Sequence, residues 1–156
     1  MSRIAGALWN CGGLRVPATS TNLKADFIEK EVDRLNLSLV VLVETHLKQT
    51  DTLHPLFQQL SSRFQIINEP TPPSETHAGI LILVHNELNI LKTQILQQGR
   101  IVCIEIMRCV TKEKYKIIAV YGQQNQKLTT TKFRTLCSNL NIEFDVEENN
   151  VLLNAY

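Results

Sequence analysis

Residues 39–46 read Leu39-Val40-Val41-Leu42-Val43-Glu44-Thr45-His46. An aliphatic run without polar alternation predicts a strand buried on both faces, and this one stops abruptly at a carboxylate. Upstream, Asn22 can cap a helix in which Leu23, Phe27, Ile28, Val32 and Leu35 recur at helical spacing, with Lys24, Asp26, Glu29, Lys30 and Asp33 on its wetter side. Further back, the apolar segment Ile4 to Trp9 runs into Asn10-Cys11-Gly12-Gly13, a cluster of turn formers, so a first strand is expected to end near Asn10. Strand, helix, strand in that order implies a crossover between two parallel strands, whose C-terminal ends then lie on one edge of the sheet. Asn10 and Glu44 are therefore expected to converge, at the edge where open α/β sheets bind ligands.

Downstream, Leu53, Leu56, Phe57 and Leu60 space a short helix in which Pro55 fits only the first turn. Phe64 to Ile67 reads as a strand, and Glu69 to Glu75, with Pro70, Pro72 and Pro73, as an exposed loop. Gly79 to Val84 is a second continuous apolar strand. Ile101 to Arg108 alternates, with Val102, Ile104 and Ile106 opposite Glu105, and Lys116 to Tyr121 is expected to pair with it as an antiparallel hairpin across Thr111 to Lys114. Phe133, Leu136, Cys137 and Leu140 mark a helix capped by Thr129 or Thr130, and Val151 to Tyr156 a final strand. The fold class is α/β, with mixed sheets and outer helices.

The chain has 156 residues, 44% hydrophobic and 20% charged, which suits one globular domain and excludes a disordered or fibrous protein. A net charge of +1 predicts neither a polyanion nor a membrane partner from bulk electrostatics. Charge is nevertheless uneven: Arg100 to Arg134 holds eight basic and two acidic residues, so a nucleic-acid backbone would favour that stretch. No apolar run approaches the roughly 18 residues of a membrane span, and the N-terminal stretch lacks the pattern of a signal peptide, so an intracellular protein is expected. Cys11, Cys103, Cys109 and Cys137 are scattered, as are the four histidines, so spacing predicts reduced structural thiols and no zinc site.

The order of short motifs resembles the endonuclease/exonuclease/phosphatase superfamily, which includes deoxyribonuclease I, the abasic-site endonucleases and the endonuclease domains of LINE-type retrotransposons. Trp9-Asn10-Cys11-Gly12-Gly13-Leu14 is similar to its first motif, Glu44-Thr45-His46-Leu47 to its second, Ala78-Gly79-Ile80 to its third strand and Val120-Tyr121-Gly122 to its fourth. The resemblance implies hydrolysis of phosphate esters with Mg2+ (or Mn2+), DNA as the substrate or ligand, and roughly the N-terminal half of a four-layer α/β/β/α sandwich. It assigns Glu44 as the metal-binding carboxylate, a sensible role because Mg2+ is often held by one or two carboxylates plus substrate phosphate. It makes Asn10 a phosphate-orienting amide, Tyr121 a hydrogen-bond donor to the scissile phosphate, and His77 and Asn154 substrate-binding residues. His46, His54 and His85 read as surface or loop histidines. Taken singly, Asn10 reads better as a turn residue before two glycines and Tyr121 as a half-buried sheet residue, and Glu44 also reads as a strand end in solvent.

The resemblance also implies a Gly-Asp-Phe-Asn motif and a later Asp-His pair, neither of which this sequence contains. Residues 1–156 are accordingly expected to form one domain cut short at its C-terminus, weak or inactive as a hydrolase. The alternative is a non-catalytic, metal-binding or nucleic-acid-binding remnant of a retrotransposon-type endonuclease. With one sheet expected from each half of the sandwich, an apolar sheet face would stand open for self-association or a complementing chain.

Overall fold

The structure, a computed structural model, describes residues 3–15, 23–51, 55–122, 135, 138 and 150–155. Its elements are β1 (Gly6–Asn10), α1 (Leu23–Arg34), β2 (Leu39–Val43), α2 (Pro55–Leu60), β3 (Phe64–Glu69), β4 (Ile80–His85), β5 (Leu88–Gln97), β6 (Ile101–Arg108), β7 (Lys114–Tyr121) and β8 (Asn150–Ala155). They form a mixed α/β fold with two four-stranded sheets, ordered β1-β2-β4-β3 and β5-β6-β7-β8. No helix among the described residues is long and apolar enough to cross a membrane. The Asn22, Thr129 and Thr130 caps lie outside the described residues, as does most of the helix expected around Phe133 to Leu140.

In the first sheet β1 and β2 run parallel through the α1 crossover, with Asn10 beside Val43, while β4 pairs antiparallel with both β2 and β3. All five residues of β2 are buried. Val40 and Leu42 join Leu81 and Leu83 of β4 beneath Ala25, Ile28 and Val32 of α1 and Leu60 of α2. Leu39, Val41 and Val43 point the other way, with Ile80, Ile82 and Val84, onto Val102, Ile104 and Ile106 of β6 and Ile117, Ala119 and Tyr121 of β7. The missing polar alternation in β2 and β4 thus has a simple cause: one face meets helices and the other a second sheet.

Two expectations change. The inner face of the first sheet, expected to stand open, is covered by a second sheet from this same chain, so three layers of the sandwich are present among the described residues. On α1 the buried stripe is Ala25, Ile28 and Val32, whereas Leu23, Phe27 and Leu35 are 75%, 60% and 41% exposed. One residue is about 100° of helix rotation, so Phe27 and Ile28 cannot both face the sheet, and Ile28 takes that place.

β5 carries no clear period in the sequence. Its register against β6 shifts between Ile90 and Lys92 and again between Ile95 and Gln97, and each bulge inverts which side chains point inward. The β6–β7 hairpin is antiparallel as expected, with Ile104 opposite Ile117.

Candidate active site

The C-terminal ends of β1 and β2 are stitched to the rest of the site by backbone hydrogen bonds. The Gly13 N–H donates to the Glu44 carbonyl at 2.8 Å and Leu14 N–H to the Thr45 carbonyl at 2.7 Å, joining the loop after β1 to the loop after β2. His46 N–H donates to Ala78 at 2.9 Å, Gly79 N–H to Gly99 at 2.9 Å and Tyr121 N–H to Arg100 at 2.7 Å. These bonds run in steps from the first sheet's edge to the end of β7 in the second. They bring Asn10, Glu44 and Tyr121, which are remote in sequence, to one place. Lys24 of α1, expected on the wet side of the helix, reaches back and donates to the carbonyls of Cys11, Gly12 and Gly13 at 2.8, 3.1 and 2.9 Å, fixing the loop beside Asn10.

Glu44 and His46 both adopt left-handed backbone conformations, with φ of 57° each. Non-glycine residues hold this geometry only where the surroundings impose it, and such positions cluster at functional sites. Glu44 accepts hydrogen bonds from the side chains of Asn10, Tyr121 and His46. Burial pushes the Glu44 carboxyl up, but these three hydrogen bonds and the neighbouring imidazole outweigh it and hold the group below the usual range, so it is a carboxylate at neutral pH. The amide of Asn10 is oriented by its own turn: its Oδ1 accepts from Gly12 N–H at 2.9 Å, which leaves the Nδ2 protons for Glu44.

Tyr121 is 4% exposed. Burial first, then the Glu44 charge, raises its phenol above the usual range, so it remains a donor. The Arg100 guanidinium lies 5.2 Å from the Tyr121 ring centroid, and its Nε donates to Glu75 Oε2 at 3.0 Å. Arg100 therefore positions the ring instead of standing free for a polyanion. Lys116 likewise pairs with Glu105 at 3.7 Å, and the basic residues after Tyr121 lie outside the described residues.

His77 is exposed and meets His46, with Nδ1 3.3 Å from His46 Nε2 and the rings edge to face at 4.9 Å. His46 Nε2 lies 3.4 Å from Glu44 Oε1. Glu44, His46 and His77 could hold a metal ion, since their ligand atoms all lie within 4.8 Å of one another. Sequence spacing missed His46 because its partner sits 31 residues away; the one usable signal was its place two residues after Glu44 in a loop that must turn back. The backbone sets Asn154 opposite Val120, one step from Tyr121, and its side chain lies outside the described residues.

Cys11 sits beside the site. Burial pushes its thiol up to about 12, with the Lys24 ammonium working against this and Glu44 adding to it. At pH 8 its thiolate fraction is then about 10⁻⁴. Iodoacetamide treatment of the folded chain at that pH, followed by peptide mass spectrometry, should leave Cys11 unlabelled; labelling as fast as in urea would contradict this placement.

Solved structures of the endonuclease/exonuclease/phosphatase superfamily share this two-sheet fold. The zebrafish (D. rerio) TDP2 structure complexed with single-strand DNA product matches with TM-score 0.58 and 14% identity over 94% of this chain and 57% of the other. The human Nocturnin catalytic domain with bound sulfate matches with TM-score 0.55 and 14% identity, over 85% of this chain and 54% of that one. An endonuclease/exonuclease/phosphatase family protein from Bacteroides thetaiotaomicron matches with TM-score 0.52 and 8% identity over 65% of this chain and 43% of its own. The chain thus spans about half the length of the structures it resembles. No protein-family profile and no curated protein matches the sequence.

Proposed function

We propose that the chain is a divalent-metal-dependent phosphodiester hydrolase of nuclease type acting on DNA in an intracellular setting, with Glu44 as metal ligand and Asn10 and Tyr121 as phosphate-orienting donors. The observation that carries this reading is the convergence of those three side chains, with the Glu44 carboxylate kept ionised by hydrogen bonds from the other two. A carboxylate so held suits a hard cation such as Mg2+ or Mn2+, and amide and phenol donors beside it suit phosphate oxygens. The solved relative with single-strand DNA product supports a nucleic-acid ligand, and free Cys11, Cys103 and Cys109 are in keeping with a reducing compartment.

Turnover by these 156 residues is expected to be weak, because the sequence contains no Gly-Asp-Phe-Asn motif to activate water. That general-base contribution is worth about 10²- to 10⁴-fold. The same feature favours a second reading, metal and DNA binding without turnover by these residues, as in a non-catalytic relative of a retrotransposon-type endonuclease, with His77 and Asn154 as further phosphate contacts.

The test is nicking of supercoiled and abasic-site DNA by purified chain with Mg2+, with EDTA, and as Glu44→Ala. The expected result is slow nicking that EDTA stops and Glu44→Ala lowers by about 10²-fold or more. Nicking indifferent to EDTA and to Glu44 would remove the hydrolase reading. A folded chain that never nicks but binds DNA with steep salt dependence would leave the binding reading.

A further inference from the structure

We propose that Glu44, His46 and His77 form a three-ligand site selective for a transition-metal dication of the zinc type over Mg2+. The inference deepens the reading of Glu44 as a metal ligand and rests on it, but the discriminating residues are the two histidines. Mg2+ is a hard cation served by oxygen, whereas imidazole nitrogen suits Zn2+ and similar later transition-metal dications. Here two imidazole nitrogens stand beside one carboxylate oxygen.

Two of the three spacings are compatible with tetrahedral coordination. Bonds of about 2.0–2.1 Å at tetrahedral angles place neighbouring ligand atoms about 3.3–3.4 Å apart, whereas adjacent ligands in an octahedral Mg2+ shell lie about 2.9 Å apart. His77 Nδ1 is 3.3 Å from His46 Nε2, and His46 Nε2 is 3.4 Å from Glu44 Oε1. The three ligand atoms fall within 4.8 Å, and His77, being exposed, can close the remaining edge by side-chain rotation.

The His46 ring is also aimed by its surroundings. Its left-handed backbone and its N–H bond to Ala78 fix the main chain. On the other flank is Gly13, where an added Cβ would come within 2.8 Å of Nδ1. Glycine at position 13 thus lets the ring lie against the β1 loop with Nε2 turned towards Glu44 and His77. Three protein ligands leave one tetrahedral position unfilled by protein, the usual pattern of an open rather than a structural zinc site.

Co2+ is the probe, because tetrahedral Co2+ absorbs visible light far more intensely than the octahedral ion. Untagged protein should bind one equivalent with the intense tetrahedral spectrum. His46→Ala and His77→Ala should each weaken Co2+ binding about tenfold or more while circular dichroism stays unchanged. Mg2+ affinity, read by calorimetry, should change less than about twofold in His77→Ala, a substitution at an exposed side chain. A pale octahedral spectrum, or Co2+ affinity unaltered in both histidine variants while Glu44→Gln loses it, would overturn this inference and leave the Glu44 reading standing. Glu44→Gln binding both Co2+ and Mg2+ as the wild type does would overturn both.

Discussion

Gly79→Ala should cost about 3 kcal/mol or more of folding stability and disorganise the site with it. Gly79 has φ of 104°, and an added Cβ would run into Thr45 Oγ1 and come within 3.1 Å of Thr71 Oγ1. Neither hydroxyl can retreat. Thr45 and Thr71 are 0% and 3% exposed, and Thr71 Oγ1 donates to the Ala78 carbonyl at 2.8 Å. The backbone cannot move cheaply either, because Gly79 donates to Gly99 and accepts from Thr45 N–H, two of the bonds that hold the Glu44 loop against the second sheet. Gly12→Ala is the control. Gly12 also has positive φ, 55°, but the nearest atom to its added Cβ is Lys24 Nζ at 3.9 Å, so only the left-handed penalty of about 1–2 kcal/mol applies. Urea denaturation of the two variants checks the difference; equal losses would mean that the Thr45 contact does not constrain position 79.

Ile82→Ala should lower stability by about 2–5 kcal/mol. Ile82 is fully buried at the centre of the first sheet, in register with Val41 on one side and Ile67 on the other, within the apolar layer between the sheets. Truncation removes transfer free energy and leaves a cavity that strands paired on both flanks cannot collapse into. Val110→Ala, at a side chain 88% exposed, should stay within about 0.5 kcal/mol. A loss below about 1 kcal/mol for Ile82→Ala would contradict face-to-face packing of the two sheets.

The frame of the first sheet was legible because β2 and β4 are aliphatic throughout and the spacing of α1 is helical, which forces a crossover and brings Asn10 to Glu44. The register of α1 was not legible: Phe27 and Ile28 are equally apolar, and only the tertiary fit decides which one is buried. β5 stayed hidden because two bulges break its alternation, and an edge strand need not be apolar on both faces. The second sheet's place over the first was missed because its period-2 pattern in β6 tells which residues point inward but not which surface they meet. At the site, Tyr121 was reached through the family resemblance and then found against Glu44. The pairing of His46 with His77 depends on how two separate loops approach the same sheet edge, which no local pattern encodes. Lys24 illustrates the same limit: on a helical wheel it is a surface cation, yet it holds three loop carbonyls.

That the Glu44 carboxylate, held between Asn10 and Tyr121, is a divalent-metal ligand can be tested without turnover. Calorimetric titration of Mg2+ into the wild-type chain and into Glu44→Gln, which keeps the shape and removes the charge, is the direct measurement. A single Mg2+ site is expected in the wild type, weakened about tenfold or more by the substitution. Identical isotherms for the two proteins, or no binding by the folded wild type, would contradict it.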